Sequence, residues 1–446
     1  MELKRKVYQK LLDWKAKNGR TAMLIEGARR VGKSYITQEF AEHEYQSYIL
    51  IDFSKADEDI TDLFLHDLMD LNTFFTKLEF IFGTKLYERN SLIVFDEVQL
   101  FPKARQAIKH LVADGRYDFI ETGSLISLKQ NVQDILLPSE EEYISMYPLD
   151  FEEFLWAIGD ETKIPFLRDS FEKKRPLGQI MHRTVMNQFR QYLLVGGMPQ
   201  AVLTYVETKD FGMVDSVKRD ILRLYRNDVS KFAKGYESKV LSIFDEIPSQ
   251  LSKHEKKFRL ASLSKHASMR DYEDSFIWLR EAMVTNLCFN STDPNVGLNL
   301  NRDRLTLKCY MGDTGLLVSH ALDENNVLEN EIYKALLLDR LSINEGMFME
   351  NYVAQTLVYQ KHKLYFYSQY DKENAENRME IDFLITRERK ICPIEVKSSD
   401  YKSHRSIDKF RTKFNRKIGQ AYIIYTKDLK EEDGILYIPI YMTMFL

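Results

Sequence analysis

The octapeptide Gly27-Ala28-Arg29-Arg30-Val31-Gly32-Lys33-Ser34 constrains this chain more than any other feature, because it fits the phosphate-loop pattern G-x-x-x-x-G-K-[S/T]. Such a loop works where a buried parallel strand hands over to a helix, and both neighbours read that way. Ala22-Met23-Leu24-Ile25 is an apolar run of strand length, and Tyr35 to Phe40 starts a helix whose positive end faces an anion. Backbone N–H groups from Gly27 to Tyr35 are expected to close round phosphate oxygens, with Lys33 reaching the β and γ phosphates. The Ser34 hydroxyl is expected to hold a Mg2+ ion on those phosphates, since this small hard cation takes oxygen ligands. ATP with Mg2+ is the ligand to expect.

Residues 1–150 alternate helix-like and strand-like segments, with further strands at 48–53, 92–95, 117–120 and 142–147. That pattern predicts a parallel sheet with helices on its faces, an α/β P-loop ATPase core. Residues 151–234 read as a helical lid, turned at Gly196-Gly197-Met198-Pro199. Residues 235–330 add strands at 286–289 and 305–310 to two helices, the pattern of a winged-helix-like domain. Residues 331–446 give a helix followed by five strand-like segments, a second α/β domain.

Composition narrows the function classes. A net charge of -4 argues against a generally basic nucleic-acid binder, so any basic surface is local. Cys288, Cys309 and Cys392 lack paired spacing, which suggests neither a disulfide framework nor a zinc site and suits a reducing cytoplasm. No apolar run approaches the ~20 residues of a membrane helix, and Met1 to Lys6 lacks the apolar core of a signal peptide.

The third strand ends in Asp96-Glu97, where a metal-anchoring aspartate and a water-activating glutamate belong beside a phosphate loop. The bland alternative is a pair of acids capping a helix that begins near Pro102. A water-activating Glu97, with no acceptor constellation elsewhere, favours hydrolysis over kinase chemistry. Thr122 or Ser124, after the fourth strand, either senses the γ-phosphate or simply forms a turn. Arg190, Arg223 and Arg226 have the charge of an arginine finger, but no motif selects one.

A second constellation lies near the carboxy end: Glu350 on a helix, Asp382 on a strand, and Glu395-Val396-Lys397 on the next. Asp382 and Glu395 have the chemistry to hold one or two divalent cations, and Lys397 that to stabilise transition-state charge in phosphodiester hydrolysis. The alternative is an inert cluster of charges on a strand face. Downstream, residues 397–417 carry eight cations against Asp400 and Asp408, with Tyr401, His404, Phe410 and Phe414 interleaved. This is either a DNA-binding stretch or an ordinary basic helix face with Phe410 and Phe414 packed inward.

Taken together, these residues resemble a family of bacterial and archaeal ATPases that join an AAA-type domain to a carboxy-terminal domain similar to PD-(D/E)xK nucleases. The resemblance rests on Gly27 to Ser34, Phe95 to Gln99, Thr122-Gly123-Ser124, Tyr147 to Phe154, Val195 to Pro199, Gly312 to Leu316, Glu350-Asn351, Glu380 to Phe383 and Ile394 to Lys397. It implies ATP hydrolysis through Lys33, Asp96 and Glu97, a nuclease-like core with Glu350, Asp382, Glu395 and Lys397 as its acids and lysine, and an AAA site that takes an arginine from a neighbouring subunit in a homo-oligomer. Many relatives carry Gly-Arg before the Tyr-Pro-Leu segment, whereas this chain has Pro138-Ser139. The function expected is an ATPase whose nucleotide state controls a metal-dependent nuclease-like domain acting on DNA. Its alternative is a nucleotide-dependent switch that binds DNA or a protein without cutting.

Overall fold

Five apolar segments of the first 150 residues become strands: β1 (Ala22–Gly27), β2 (Ser47–Asp52), β3 (Ser91–Asp96), β4 (Asp118–Gly123) and β5 (Glu141–Met146). All pair in parallel, in the order β2-β3-β4-β1-β5. Helices cover the faces, so β3 and β4 are buried at every position and read as continuous runs rather than alternating ones. The order sets β4 between β1 and β3, which gathers the carboxyl ends of those three strands at one edge.

The computed structural model describes residues 3–123, 138–253, 255–322, 333, 345–369, 378–398 and 404–446. Contacts divide the chain into two units, Glu2–Tyr147 with Glu281–Met283, and Pro148–Arg280 with Val284–Leu446.

The second unit begins with helices, as its sequence pattern predicts. They include Phe151–Ala157, Gln179–Val195, Phe211–Phe232 and Glu237–Ser252. The first is set by a reciprocal cap, in which Asp150 accepts from the Glu153 N–H while the Glu153 carboxylate accepts from the Asp150 N–H.

Strands β6 (Thr285–Ser291), β7 (Arg302–Met311), β8 (Tyr365–Gln369), β9 (Met379–Arg387), β10 (Lys390–Val396), β11 (Ala421–Tyr425), β12 (Lys430–Glu432) and β13 (Ile435–Pro439) then build one mixed sheet. Its order is β12-β13-β11-β10-β9-β8-β6-β7. This corrects the winged-helix-like reading of residues 235–330. The β6–β7 hairpin joins the carboxy-terminal sheet through parallel pairing of Phe289 and Asn290 with Tyr365 and Phe366. A two-stranded ribbon has too little buried face to stand alone, so it takes the open edge of β8. The boundary expected at residue 331 therefore divides strands of a single sheet.

Candidate functional site

At the carboxyl edge of the first sheet, β1 turns into the phosphate loop and the helix Lys33–Glu44. Arg30 (φ 70°) and Gly32 (φ 93°) adopt left-handed backbone, the alternation that turns successive N–H groups toward one point. Lys33 is buried, and its ammonium donates to the carbonyls of Gly27 and Ala28 at 3.1 Å each. Arg29, Arg30, Ser34 and Tyr35 are exposed at the mouth of the loop, while Gly27, Ala28 and Val31 are buried beneath it.

Ser34 Oγ donates to Asp96 Oδ1 at 2.9 Å, and Thr122 Oγ1 donates to the same carboxylate oxygen. Strand pairing explains the meeting, because Phe95 lies beside Glu121 and puts the ends of β3 and β4 level. Glu97 leaves β3 in a left-handed conformation (φ 55°), sparsely populated for a residue with a Cβ at a strain of about 1–3 kcal/mol. Its N–H donates to Thr122 Oγ1 at 3.3 Å, and its carboxylate accepts from Gln99. Lys33, Ser34, Asp96, Glu97 and Thr122 are thus brought together, whereas Ser124 lies outside the described residues. Ser34 and Asp96 present two hard oxygens side by side, a donor set that fits Mg2+.

Sequence reasoning missed two supports of this unit. Arg5 is buried and donates to the carbonyls of Val31 at 3.0 Å and Tyr147 at 2.6 Å, so it ties the phosphate loop to the residue after β5. On the opposite face of the sheet, Arg105 makes a bidentate pair with Glu141 at 3.0 and 2.7 Å. Glu121 is wholly buried next to that pair; burial first, then the Glu141 carboxylate, raise its pKa well above the ordinary value. Neither group carries a motif, since a lone Arg or Glu in a sequence looks solvated.

In the second unit, Glu350, Asp382, Glu395 and Lys397 do lie in one region, but residues from β7 and beyond enter it. Lys308, on β7 and 1% exposed, passes over the Phe366 ring and meets three carboxylates: Glu380 at 2.9 Å, Glu350 at 3.3 Å and Asp382 at 3.6 Å. Lys256 pairs with Glu350 Oε2, and Tyr310 OH donates to Oε1, the oxygen that Lys308 meets. Burial works against an ionised Glu350, yet Lys256 and Lys308 hold its pKa below the usual range. Burial and the nearby Glu350 charge push Asp382 upward, and the Val396 N–H binds its second oxygen at 2.9 Å. Glu395 Oε1 pairs with Lys397 at 2.7 Å. Among the described residues, no cluster of three or more His, Cys, Asp or Glu side chains is arranged to hold a metal ion. Of the two residues expected to hold a divalent cation, Asp382 already faces the Lys308 ammonium at 3.6 Å, while Glu395 pairs with Lys397 and its buried Oε2 has no hydrogen-bond partner among the described residues.

The basic stretch is also largely engaged. Lys397 is taken by Glu395, Lys413 by Tyr367 and Gln369, Lys417 by Asp293, and Arg411 by the Asp433 carbonyl. Phe410 and Phe414 pack inward with ring centroids 4.8 Å apart, and Lys402 lies outside the described residues. Of the arginines that have a finger's charge, Arg223 pairs with Asp220 and Arg226 with Asp245.

The remaining motifs form one buried knot. The Gly197 N–H donates to Asp313 at 2.7 Å, the Leu149 N–H to the Gly197 carbonyl at 2.6 Å, and Tyr192 OH to the Leu149 carbonyl at 2.8 Å. Gln355 links Tyr192 to Thr314, and Asn351 holds the backbone of Met311. Gly-Gly-Met-Pro, Gly-Asp-Thr-Gly and Pro-Leu-Asp-Phe therefore meet in one buried packing unit.

Residues 19–155 match the AAA_14 family, described as an AAA domain, while residues 186–327 and 345–443 match domains of unknown function, DUF8612 and DUF4143. No curated protein matches the chain. Among solved structures, PCH-2 of C. elegans is similar at 11% identity and a TM-score of 0.27, over 47% of this chain. The chain spans 65% of that protein's length. Drosophila ORC bound to DNA is similar at 12% identity and 0.30, over 70% of this chain and 94% of that one, and the Pyrococcus furiosus Hef helicase domain at 14% and 0.19, over 54% and 67%. Likenesses this slight carry no functional argument. No helix among the described residues is long and apolar enough to cross a membrane. With its phosphate loop, five-stranded parallel sheet and family match, the amino-terminal unit is an AAA-type P-loop ATPase domain.

Proposed function

We propose that the protein is a Mg2+-dependent ATPase whose carboxy-terminal unit recognises a partner without cutting it. The observation that carries the first half is the convergence of the Ser34 and Thr122 hydroxyls on one Asp96 carboxylate oxygen, with Ser34 next in the chain to Lys33. In this reading Lys33 neutralises the β and γ phosphates, and Ser34 with Asp96 holds the ion, which draws charge from those phosphates. Glu97 orients and deprotonates the attacking water, with Gln99 fixing its carboxylate. Thr122 keeps Asp96 in register with Ser34.

The second half is favoured by the ion-paired state of Glu350, Glu380 and Asp382 around Lys308. DNA is one partner this reading admits, through the exposed Arg405 and Arg416. Nucleotide binding by calorimetry and phosphate release with Mg2+ test the ATPase. Lys33→Ala should lose ATP binding, and Glu97→Gln should bind ATP but turn over roughly 100-fold or more slowly. Unchanged turnover in Lys33→Ala would overturn the assignment.

A further inference from the structure

We infer that Lys308 is a built-in replacement for a divalent cation in the carboxy-terminal unit, so that this acid cluster is kept metal-free by the chain's own ammonium. The inference rests on the non-cleaving reading above and supplies its physical cause. Four carboxylates, Glu350, Glu380, Asp382 and Glu395, are matched by four ammoniums, Lys256, Lys257, Lys308 and Lys397, each within 4 Å of an acid oxygen. Four cations therefore already stand beside these acids before any ion arrives. Lys308 holds the central place, reaching acids on a helix and on β9 from a strand three positions away in the sheet.

A divalent cation at oxygen-ligand distance from Glu350 and Asp382 would sit beside this ammonium, which is only 1% exposed, and the two cations would repel. Its ammonium also lies 5.1 Å from the centroid of the Phe366 ring, a cation–π contact that adds to the three ion pairs. The chemistry therefore favours an ammonium bridge over a metal bridge. It also explains how Glu350, buried and close to Glu380 and Asp382, stays beside them, where unpaired charges would repel and neutralise.

Mn2+ is the probe, used on the full-length protein by calorimetry. The wild type and Asp382→Asn should give the same Mn2+ isotherm, because the nucleotide site contributes equally to both. Lys308→Met should gain about one equivalent of bound Mn2+, tighter on the order of a hundredfold than anything the wild type shows there, and lose it again with Asp382→Asn. Stabilisation of Lys308→Met by Mn2+ in thermal melts gives a second readout if that variant folds poorly alone. A wild-type Mn2+ site that Asp382→Asn abolishes overturns the inference, and so does a folded Lys308→Met that gains no Mn2+. DNA cleavage by the wild type without Mn2+ binding at Asp382 would instead overturn the non-cleaving reading and leave the role of Lys308 standing.

Discussion

Replacing Gly315 by alanine sets two physical effects against each other, and the structure decides between them. Gly315 lies in the first turn of the helix Thr314–Leu322, where helix propensity alone favours alanine by about 1 kcal/mol. A Cβ there, however, would sit 2.4 Å from Gly196 Cα, 2.5 Å from Gly196 N and 2.6 Å from the Val195 carbonyl oxygen. All three are backbone atoms, so no rotamer change relieves them. The Gly196 segment must retreat by more than half an ångström, and overpacking of this kind costs about 1–3 kcal/mol. The same retreat pulls the Gly197 N–H off the buried Asp313 carboxylate, now 2.7 Å away, and a charge-assisted bond of that sort contributes about 1.5–3 kcal/mol. The expected net loss is about 2–5 kcal/mol. Urea unfolding followed by Trp fluorescence measures it, since Trp156 and Trp278 both belong to this unit. In an Asp313→Ala background the penalty should shrink, because part of it has already been lost. A Gly315→Ala protein as stable as the wild type would refute the claim that the motifs pack backbone to backbone.

Glu121→Gln tests the buried acid beside Arg105 and Glu141. A pKa raised on folding adds stability that is complete below the unfolded value of 4.5 and is lost as pH rises through the folded value. Gln imitates the protonated form, so the variant should be more stable than wild type by about 1 kcal/mol or more at pH 7 and equal to it near pH 4. A stability gap that does not change with pH contradicts this. Thr122→Val removes the hydroxyl that steadies Asp96, so turnover should fall roughly 10–100-fold while ATP affinity holds. Equal losses in binding and turnover would reassign Thr122 to nucleotide capture.

The first unit was legible because its signals are local. A phosphate loop, apolar runs of strand length and Asp96-Glu97 at a strand end each lie within a few residues, and the sheet they predict forms with boundaries shifted by one to three residues. What joins them is not local: Arg5 binds Val31 and Tyr147 through two carbonyls, an arrangement that leaves no residue pattern. In the second unit Glu350, Asp382, Glu395 and Lys397 could be picked out by alternation and burial. Their meaning could not, because Lys308 and Lys256 come from a segment that reads as a separate domain. Periodicity recognises a strand but not the sheet it joins, and here the β6–β7 hairpin pairs with a strand beyond about fifty intervening residues.

That pairing has a consequence for how the chain emerges during synthesis. The hairpin leaves the ribosome before β8 exists, and at about 5–20 residues per second it waits on the order of 3–10 s for its partner. During that interval one edge of β6 offers unpaired N–H and carbonyl groups to any other strand in reach. The central lysine of the acid cluster is likewise made before the acids on β9 that will surround it. The edge of β6 therefore lacks its own partner strand from the synthesis of Met311 until β8 is released.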